Sequence, residues 1–349
     1  MSQTIDQPKW AKVEYSKKRI EKAGREIIKD SLSDEERKEV LAIIDNWRAS
    51  HAFPLQVIYM NLKRLSKNDD TIIVAQRLKR LDSIVGKLKR FNAMSLWNMQ
   101  DLGGCRFIVS DIESVYKYSE QLKNSRVRHT LRKTKNYIAE PQKSGYRSLH
   151  MVYEYHSDRS EEYNHNMLIE VQFRTHLQHL WATAVETMGL FTNSAIKSGK
   201  GSEEVTRFFA LASSLFAIRE NCPIVPNTPE DIDEIIHEIE SLNSEKNYLD
   251  FLSSIRVITK LEEEKEKNKE GYCVLSLNYQ THHLTIRRFK PSEIDKANAY
   301  YSELEIQKSS EKADNVLVRV SSFNALRSAY PNYFSDISEF VAIIKEYLG

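Results

Sequence analysis

The chain of 349 residues is 41% hydrophobic, which is enough for the packed core of one large domain or two ordinary ones, and its net charge is only +2. No run approaches the roughly 18 apolar residues of a membrane span, and the N-terminus has no apolar signal-peptide core. Three cysteines without CxxC spacing exclude a disulfide framework and a zinc ribbon, so we expect a soluble protein of the reducing cytoplasm.

The first elements of the chain are predicted to be helical. YSKKRIEKAGREIIKDSL and SDEERKEVLAIIDNWRASH have helical patterns, and Ser33 with Glu36 forms a capping box that opens the second. Pro54 then begins a short apolar helix. TIIVAQRLK predicts a strand from its β-branched residues, and the basic stretch LDSIVGKLKRF predicts the helix that follows it.

The middle of the chain alternates strands and helices. GGCRFIVSD, YRSLHMVYEYH and MLIEVQFRT predict strands, whereas IESVYKYSEQLK and HLQHLWATAVETMGL predict helices. The order lacks a regular βαβ repeat. It therefore predicts an α/β fold in which helices cover a mixed sheet.

The proline-rich stretch CPIVPNTPED predicts a domain boundary. After it, residues 230–268 predict one long acidic helix, and YCVLSLNY, HLTIRRF and NVLVRVS predict strands of a small α+β module that ends in a helix. We therefore expect a first domain over residues 1–225, linker helices over 226–268 and a C-terminal domain over 269–349.

Charge is unevenly distributed along the chain. Residues 61–150 contain 19 Lys and Arg against 8 Asp and Glu, whereas residues 151–270 contain 12 against 22. A basic half is typical of contact with polyphosphates or nucleic acid. The alternative is that two solvated faces balance each other.

The basic stretch QRLKRLDSIVGKLKR is a candidate for binding a nucleoside triphosphate without a Gly-rich loop. Arg77 and Lys79 alternate at the end of a strand, and Lys87 lies one helical turn after Ser83. Guanidinium planes stack on purines, and lysines are point charges for phosphates. A solvated basic helix is the alternative.

Carboxylates occur beside two of the predicted strands. Asp101 precedes Gly103 and Gly104, whose lack of side chains lets a metal–phosphate centre approach, although Asp101 could also cap a turn. In MLIEVQFRT, Glu170, Gln172 and Arg174 share one face, which indicates a site unless that face is exposed. A metal site built from His176, His179 and Glu186 lacks a defensible spacing.

The stretch KSGYRSLH places an aromatic side chain directly after a glycine. Gly145 permits a turn, and Tyr146 could offer its ring as a stacking platform for a base, worth about 1–3 kcal/mol. The sequence thus contains a basic donor pocket and an aromatic acceptor platform, with two acids between them.

Four motifs in order, over roughly residues 60–190, resemble the synthetase domain of RelA/SpoT-type alarmone synthetases. They are R-L-K-x3-S-I-x2-K, QDLGGCRF, GYRSLH and EVQFRT. The resemblance implies a nucleotidyltransferase-like fold and pyrophosphate transfer from ATP with Mg²⁺, governed by positioning and charge neutralisation. It implies that Arg77 and Arg106 sandwich the adenine, and that Lys79 and Lys87, with Ser83, hold the phosphates.

The resemblance also implies the roles of the acids and of the acceptor side. Asp101 would bind Mg²⁺, and Glu170 would be the general base or a second metal contact for the acceptor 3′-hydroxyl. Tyr146 would stack the acceptor base. The other residues that it implies for the acceptor or for tRNA are Arg147, His150, Gln172, Lys17, Lys18 and Arg19.

The C-terminal residues resemble the antitoxin and sensor domain of fused toxic small alarmone synthetases of the CapRel type, described as zinc-finger-like without zinc. The chain contains no His-Asp dipeptide, which the hydrolase domain of longer members carries. Tyr330 and Tyr333 match a Tyr-x-x-Tyr element that could occupy the ATP pocket and inhibit the enzyme. Alternatively, these tyrosines pack against the final helix.

The acceptor decides the biological role. Toxic members of the family modify the 3′-CCA end of tRNA, and the basic residues near 17–19 and 123–135 suit its phosphates. We therefore expect a monomeric enzyme that blocks translation in anti-phage defence, triggered by a phage structural protein such as a capsid protein. An alarmone synthetase with a free nucleotide acceptor and a non-catalytic tRNA-binding module are the alternatives.

Overall fold

The structure is a computed structural model that describes residues 9–29, 31–91, 93–191, 203–255, 257–261, 270–278, 280–307, 313–334 and 337–349. Within these residues the α-helices are α1 (Lys17–Glu26), α2 (Asp34–Ser50), α3 (Ala52–Leu65), α4 (Leu81–Arg90), α5 (Ile112–Lys123), α6 (His176–Phe191), α7 (Glu203–Arg219), α8 (Ile232–Lys246), α9 (Tyr248–Ser254), α10 (Ile294–Gln307), α11 (Phe323–Ala329), α12 (Pro331–Phe334) and α13 (Ser338–Leu348). None of the described helices is both long enough and apolar enough to cross a bilayer.

The described strands are β1 (Ile73–Leu78), β2 (Gly103–Val109), β3 (Thr130–Asn136), β4 (Leu149–Glu154), β5 (Leu168–Thr175), β6 (Ile258–Leu261), β7 (Gly271–Asn278), β8 (His283–Phe289) and β9 (Ala313–Val320). They form one sheet in the order β3-β4-β5-β2-β1-β9-β7-β8-β6. β2 pairs with β5, and β6 with β8, in parallel; the other pairs are antiparallel. The prediction of a mixed sheet covered by helices is confirmed.

The two faces of the sheet differ in character. One face is apolar: Phe107 of β2, Met151 of β4 and Phe173 of β5 are buried in a core to which Leu55 and Tyr59 of α3 contribute. On the opposite face β4 and β5 carry polar side chains, since alternate residues of a strand point to opposite sides. The polar face is where the candidate site lies.

Strands from both predicted domains belong to this one sheet. Gln76 and Arg77 of β1 pair with Arg319 and Val318 of β9, so the sheet continues from the first domain into the C-terminal residues. Helices α11 and α12 then lie across the polar face beside β1. The division at residues 225 and 268 stays a prediction, because the continuous sheet does not decide where independent folding units begin.

Residues 230–268 do not form the single long helix that the sequence predicted, as far as they are described. α8 ends at Asn247, which adopts a left-handed conformation with φ of 53°, and the chain restarts as α9 before entering β6. Asparagine tolerates this conformation better than most residues. α8 and α9 pack with α6, α7 and α13 in one apolar cluster.

Candidate active site

An open pocket of about 260 Å³ lies on the polar face of the sheet. Its described lining consists of Lys87, Gln100, Asp101, Lys133, Lys135, Tyr137, Gln142, His150, Val152, Glu170 and Gln172. Parallel pairing of β2 with β5 sets Gly104 opposite Glu170, and antiparallel pairing sets His150 of β4 opposite Gln172. Residues far apart in sequence thus meet because three strands are adjacent.

Asp101 is held between two lysines at one end of this pocket. Its Oδ2 lies 2.8 Å from Lys79 Nζ and its Oδ1 lies 2.9 Å from Lys87 Nζ. Burial raises the pKa of Asp101, but the two positive charges outweigh burial and hold the pKa well below its ordinary value. The carboxylate is therefore ionised at neutral pH, and Lys87 and Asp101 of this cluster of two cations and one anion line the pocket.

Glu170 lies across the pocket from this cluster. His150 Nδ1 is 2.9 Å from Glu170 Oε1, and Gln172 Nε2 donates to Glu170 Oε2 at 2.6 Å. Burial raises the pKa of Glu170, yet its contacts with His150 and Gln172 lower it overall. For His150 burial has the opposite effect and lowers the pKa, but the Tyr146 phenol and the Glu170 carboxylate raise it to about 9.

Tyr146 lies beside the pocket, with its hydroxyl fixed from two sides. Its oxygen is 2.7 Å from His150 Nε2 and accepts from Arg174 Nη2 at 2.7 Å. Burial raises the pKa of Tyr146, but the positive charges of Arg174 and His150 lower it to about 8. The described pocket wall includes Tyr137, whose ring meets that of Tyr146 edge to face at 5.8 Å, but not Tyr146 itself. The stacking role of Tyr146 stays a prediction.

Gly145 provides the turn that the sequence predicted. Its φ of +92° belongs to a region that residues with a Cβ rarely adopt. A Cβ here would also lie 2.8 Å from the Trp181 ring and 3.0 Å from the Phe209 carbonyl oxygen. Glycine is therefore required both by the backbone conformation and by the close packing of α6 and α7.

The predicted adenine-binding residue Arg106 is covered by the C-terminal residues. Its Nη1 donates to the carbonyl oxygen of Ala329 at 3.1 Å, and its guanidinium lies 5.4 Å from the centre of the Tyr330 ring. Glu186 of α6 adds an ion pair at 3.6 Å. Tyr330, only 1% exposed, donates to the backbone oxygen of Gln76 at 3.0 Å. An aromatic ring thus occupies the place next to Arg106.

Tyr333 is anchored on the same side of the sheet. Its hydroxyl donates to Asp314 Oδ2 at 2.8 Å, and Arg80 pairs with the same carboxylate. Burial raises the pKa of both Tyr330 and Tyr333, and the positive charge of half-buried Arg77 partly opposes this rise. Neither tyrosine packs in the apolar cluster of the final helix α13; both belong to the cluster around β7, β8 and β9.

Arg147 is placed away from the pocket, which corrects the expectation that it contacts the acceptor. Only 2% of the residue is exposed, and its Nη2 lies 2.8 Å from Glu220 Oε2 at the end of α7. Adjacent residues of an extended segment point in opposite directions. Arg147 therefore points away from Tyr146, and it forms a buried ion pair with Glu220.

The three basic residues of α1 that were predicted to bind tRNA lie outside the described pocket wall. Lys17 Nζ is 5.8 Å from the centre of the Trp97 ring, and Arg19 pairs with Glu39 and, at 3.5 Å, with Glu26. Lys18 is exposed. Their role in binding RNA stays a prediction. Ser83 is half-buried on α4, one turn before Lys87.

The strand β3 and the pocket residue Tyr137 were missed from the sequence, which indicated residues 123–135 only as a basic stretch suited to tRNA phosphates. β3 was not predicted, because TLRKTKN lacks apolar alternation, yet its Lys133 and Lys135 line the pocket together with the following Tyr137. Lys135 pairs across the strands with His150. The alternation of these three residues at positions i, i+2 and i+4 was the available signal.

Asp101 and Glu170 fit a magnesium ion that is completed by a substrate. Mg²⁺ is typically bound through one or two carboxylates together with substrate phosphates. Both carboxylates line the pocket. They are close enough for the negative charge of Asp101 to oppose the lowering of the pKa of Glu170. Within the described residues no cluster of three or more His, Cys, Asp and Glu side chains could hold a metal by itself. His176 and His179 contact Glu339 and the Ser328 carbonyl oxygen.

Comparison with known families accounts for this arrangement of residues. Residues 76–192 match the family model described as a region found in RelA / SpoT proteins. Residues 76–192 are therefore similar to the RelA/SpoT region. The match begins within β1 and includes β2, β3, β4 and β5, together with all the described residues of the pocket wall. The resemblance inferred from the four motifs is confirmed for the synthetase domain, whereas the likeness of the C-terminal residues to an antitoxin stays a prediction.

Two curated relatives support the same assignment. GTP pyrophosphokinase YjbM of Bacillus subtilis (strain 168) is 33% identical over 112 residues, which are 32% of this chain and 52% of that protein. GTP pyrophosphokinase YwaC of the same organism is 31% identical over 112 residues, which are 31% of this chain and 52% of that protein. The chain thus spans about half the length of the curated relatives it matches.

Solved structures of small alarmone synthetases from Bacillus subtilis are also similar. Synthetase 1 bound to its product pppGpp has a TM-score of 0.42 at 25% identity, covering 53% of this chain and 93% of that one. Synthetase 2 has a TM-score of 0.43 at 25% identity, covering 50% of this chain and 93% of that one.

Proposed function

We propose that this chain is an ATP-dependent pyrophosphotransferase that modifies the 3′-CCA end of tRNA and is inhibited by its own C-terminal residues. The observation that carries the transferase is the pocket in which Glu170 faces a cluster of Asp101, Lys79 and Lys87. A triphosphate with Mg²⁺ requires such cations and carboxylates, and a ribose hydroxyl requires a carboxylate to accept its proton. The RelA/SpoT region spans the same residues.

In the proposed reaction Glu170 accepts the proton of the acceptor 3′-hydroxyl, and the oxygen attacks the β-phosphorus of ATP. The bond from this phosphorus to the α,β-bridging oxygen breaks, and AMP leaves. Lys79 and Lys87 release Asp101, bind the phosphates of ATP instead and neutralise the charge on those phosphates. Magnesium, held by Asp101 and Glu170, would supply further charge neutralisation at the transferred group.

The adenine side of the site is proposed to be the point of inhibition. Tyr330 lies where a base stacked on Arg106 would lie, and the Ala329 carbonyl oxygen accepts from the same guanidinium. ATP would therefore have to displace the segment that contains Tyr330 and Tyr333. By its resemblance to fused toxic synthetases, a phage structural protein such as a capsid protein that binds the C-terminal residues is the proposed trigger in anti-phage defence.

The basic strand β3 favours tRNA as the acceptor. Lys133 and Lys135 are exposed at the edge of the sheet and lead into the pocket, so they could bind backbone phosphates that precede the terminal nucleotide. The rings of Tyr137 and Tyr146, which meet edge to face, are the proposed stacking partners of the acceptor base.

Synthesis of an alarmone from a free guanosine nucleotide is the second candidate. The names of the two curated relatives, both GTP pyrophosphokinases, favour it. It involves the same donor, metal and general base, and differs only in the acceptor.

The acceptor is tested with γ-labelled ATP, Mg²⁺ and the whole chain, either unaltered or with Tyr330→Ala to relieve inhibition. tRNA, GDP and tRNA whose terminal ribose has been oxidised with periodate are compared as acceptors. We expect label on intact tRNA, none on oxidised tRNA, and more product from Tyr330→Ala. Label on GDP alone would establish the second candidate, and equal rates for both proteins would overturn the inhibitory role of Tyr330.

A further inference from the structure

Glu170 and four neighbouring side chains form a closed hydrogen-bonded ring, here called the acceptor ring: Glu170, His150, Tyr146, Arg174 and Gln172. Three of them, Glu170, His150 and Gln172, line the pocket, whereas Arg174 is not part of the described wall. Arg174 is 3% exposed and lies behind the wall.

A single nitrogen of Arg174 connects the two ends of this ring. Nη2 donates to the Tyr146 hydroxyl oxygen at 2.7 Å and to Gln172 Oε1 at 2.8 Å. The guanidinium also lies 5.3 Å from the centre of the Tyr146 ring. Without this nitrogen, the remaining contacts form an open chain from Tyr146 to Gln172.

The protonation states of the ring are restricted by Arg174. An arginine side chain only donates, and an ionised carboxylate only accepts. Nη2 therefore fixes the amide of Gln172 with its oxygen towards Arg174 and its nitrogen towards Glu170. On the other side, Tyr146 accepts from Arg174, and His150 can present a protonated Nδ1 to the carboxylate. Both oxygens of Glu170 thus receive one hydrogen bond from the side away from the substrate.

No ion pair with another described residue explains the burial of Arg174. Its Nε and Nη1 are buried without a hydrogen-bond partner among the described residues. A buried charge that is only partly satisfied costs stability. The arginine is therefore poorly suited to a purely structural role, and its contacts all lead towards Glu170.

We infer that Arg174 is a positioning residue that aims the Glu170 carboxylate at the acceptor hydroxyl through the two arms of the acceptor ring. With both oxygens held from behind, the outward lone pairs remain available for the hydroxyl proton and for the metal. This inference rests on the proposed function, because only a reaction at Glu170 requires the carboxylate to be aimed.

The test compares the whole chain with Arg174→Lys. A lysine amine ends one atom short of Nη2, and burial favours loss of its proton, so it cannot bridge Tyr146 and Gln172. We expect kcat to fall by about 100-fold, the loss that a small misplacement of a reacting group can cause, with the KM for ATP unchanged. Arg207→Lys, on α7 and paired with Glu238, is the matched control and should leave kcat unaltered.

A second variant separates misfolding from misplacement. Tyr146→Phe removes one hydroxyl and opens one arm, and we expect a smaller loss of kcat. In the Arg174→Lys background the same substitution should have little further effect, because the arm is already broken. Independent effects of the two substitutions on kcat would overturn the inference.

A readout that does not depend on turnover distinguishes this inference from the proposed function. The Nδ1–H proton of His150, assigned by its loss in His150→Gln, should be protected from solvent exchange in the nuclear magnetic resonance spectrum and exposed in Arg174→Lys. If neither the unaltered chain nor Tyr330→Ala transfers pyrophosphate to any acceptor, the proposed function fails, while this measurement still tests the ring. Unchanged protection and unchanged kcat in Arg174→Lys would overturn the inference alone.

Discussion

At the scale of single residues, the site depends on contacts that sequence patterns reveal only in part. The sequence predicted a basic phosphate-binding stretch with Lys79 and Lys87 and, separately, Asp101 at a metal–phosphate centre, and the structure brings the three side chains together. Arg147 was expected at the acceptor, but it pairs with Glu220 away from the pocket. Glu220 lies far along the chain, and no local pattern indicates a pairing of this kind. Local chemistry is therefore readable from the sequence, whereas long-range pairing is not.

Gly145 gives a prediction about stability at this scale. Gly145→Ala should lower the free energy of unfolding by about 2 kcal/mol or more, because the positive φ alone costs about 1–2 kcal/mol and the new Cβ would meet Trp181. Denaturant unfolding measures it. Gly86→Ala on α4 is the control, since nothing lies within 4 Å of its Cβ, and it should gain about 0.5–1 kcal/mol. Equal stability of the two variants would contradict this account of the turn.

At the scale of elements, β1, β2, β4 and β5 were predicted because their sequences are rich in β-branched and apolar residues or alternate clearly. β3 was not predicted, because an exposed edge strand buries little and TLRKTKN has no apolar face. The strand nevertheless contributes Lys133 and Lys135 to the pocket. The sequence thus indicates the buried part of the sheet better than its functional edge.

The break between α8 and α9 gives a prediction at this scale. Asn247 holds a φ of 53°, so Asn247→Gly should leave the free energy of unfolding nearly unchanged or raise it. Asn247→Ala should lower it by about 1–2 kcal/mol, because a Cβ without a polar side chain is unfavourable in the left-handed region. Thermal or denaturant unfolding compares the two. A stabilising Asn247→Ala would indicate that α8 and α9 prefer to be one helix.

At the scale of the whole molecule, the C-terminal elements contact elements of the predicted first domain, residues 1–225, at several separate places. β9 pairs with β1, Tyr330 covers Arg106, and on the other face of the sheet Tyr301 of α10 lies 4.2 Å from the guanidinium of Arg48 on α2. None of these pairings follows from local sequence patterns. The predicted C-terminal module was therefore recognisable as elements, whereas its placement on the site was suggested only by the resemblance of Tyr330 and Tyr333 to a Tyr-x-x-Tyr element.

Acid should weaken the contact of α11 with α6. Burial and the charges of Arg106 and Arg174 lower the pKa of His179, whose Nε2 contacts the Ser328 carbonyl oxygen, to about 3. In an open form this pKa returns to about 6.5, so the open form binds a proton that the closed form does not. As the pH falls below 6.5, the closed form should lose about 1.4 kcal/mol per unit.

Hydrogen exchange of residues 323–334 between pH 7.5 and 5.5 measures this opening, after correction for the intrinsic exchange rate. His179→Gln keeps a donor for the Ser328 carbonyl oxygen but cannot titrate, and it should remove most of the pH dependence. The same acid-induced opening in His179→Gln would show that other groups control it.

The central claim is that Glu170 acts as the base for pyrophosphate transfer at a pocket whose adenine side is covered by Tyr330. The most direct measurement is the rate of label transfer from γ-labelled ATP to tRNA or GDP by the whole chain, by Tyr330→Ala, and by Tyr330→Ala with Glu170→Gln. We expect Tyr330→Ala to be faster than the unaltered chain, and Glu170→Gln to reduce that rate by at least about 100-fold. Transfer that persists at the full rate in the double variant would contradict the account.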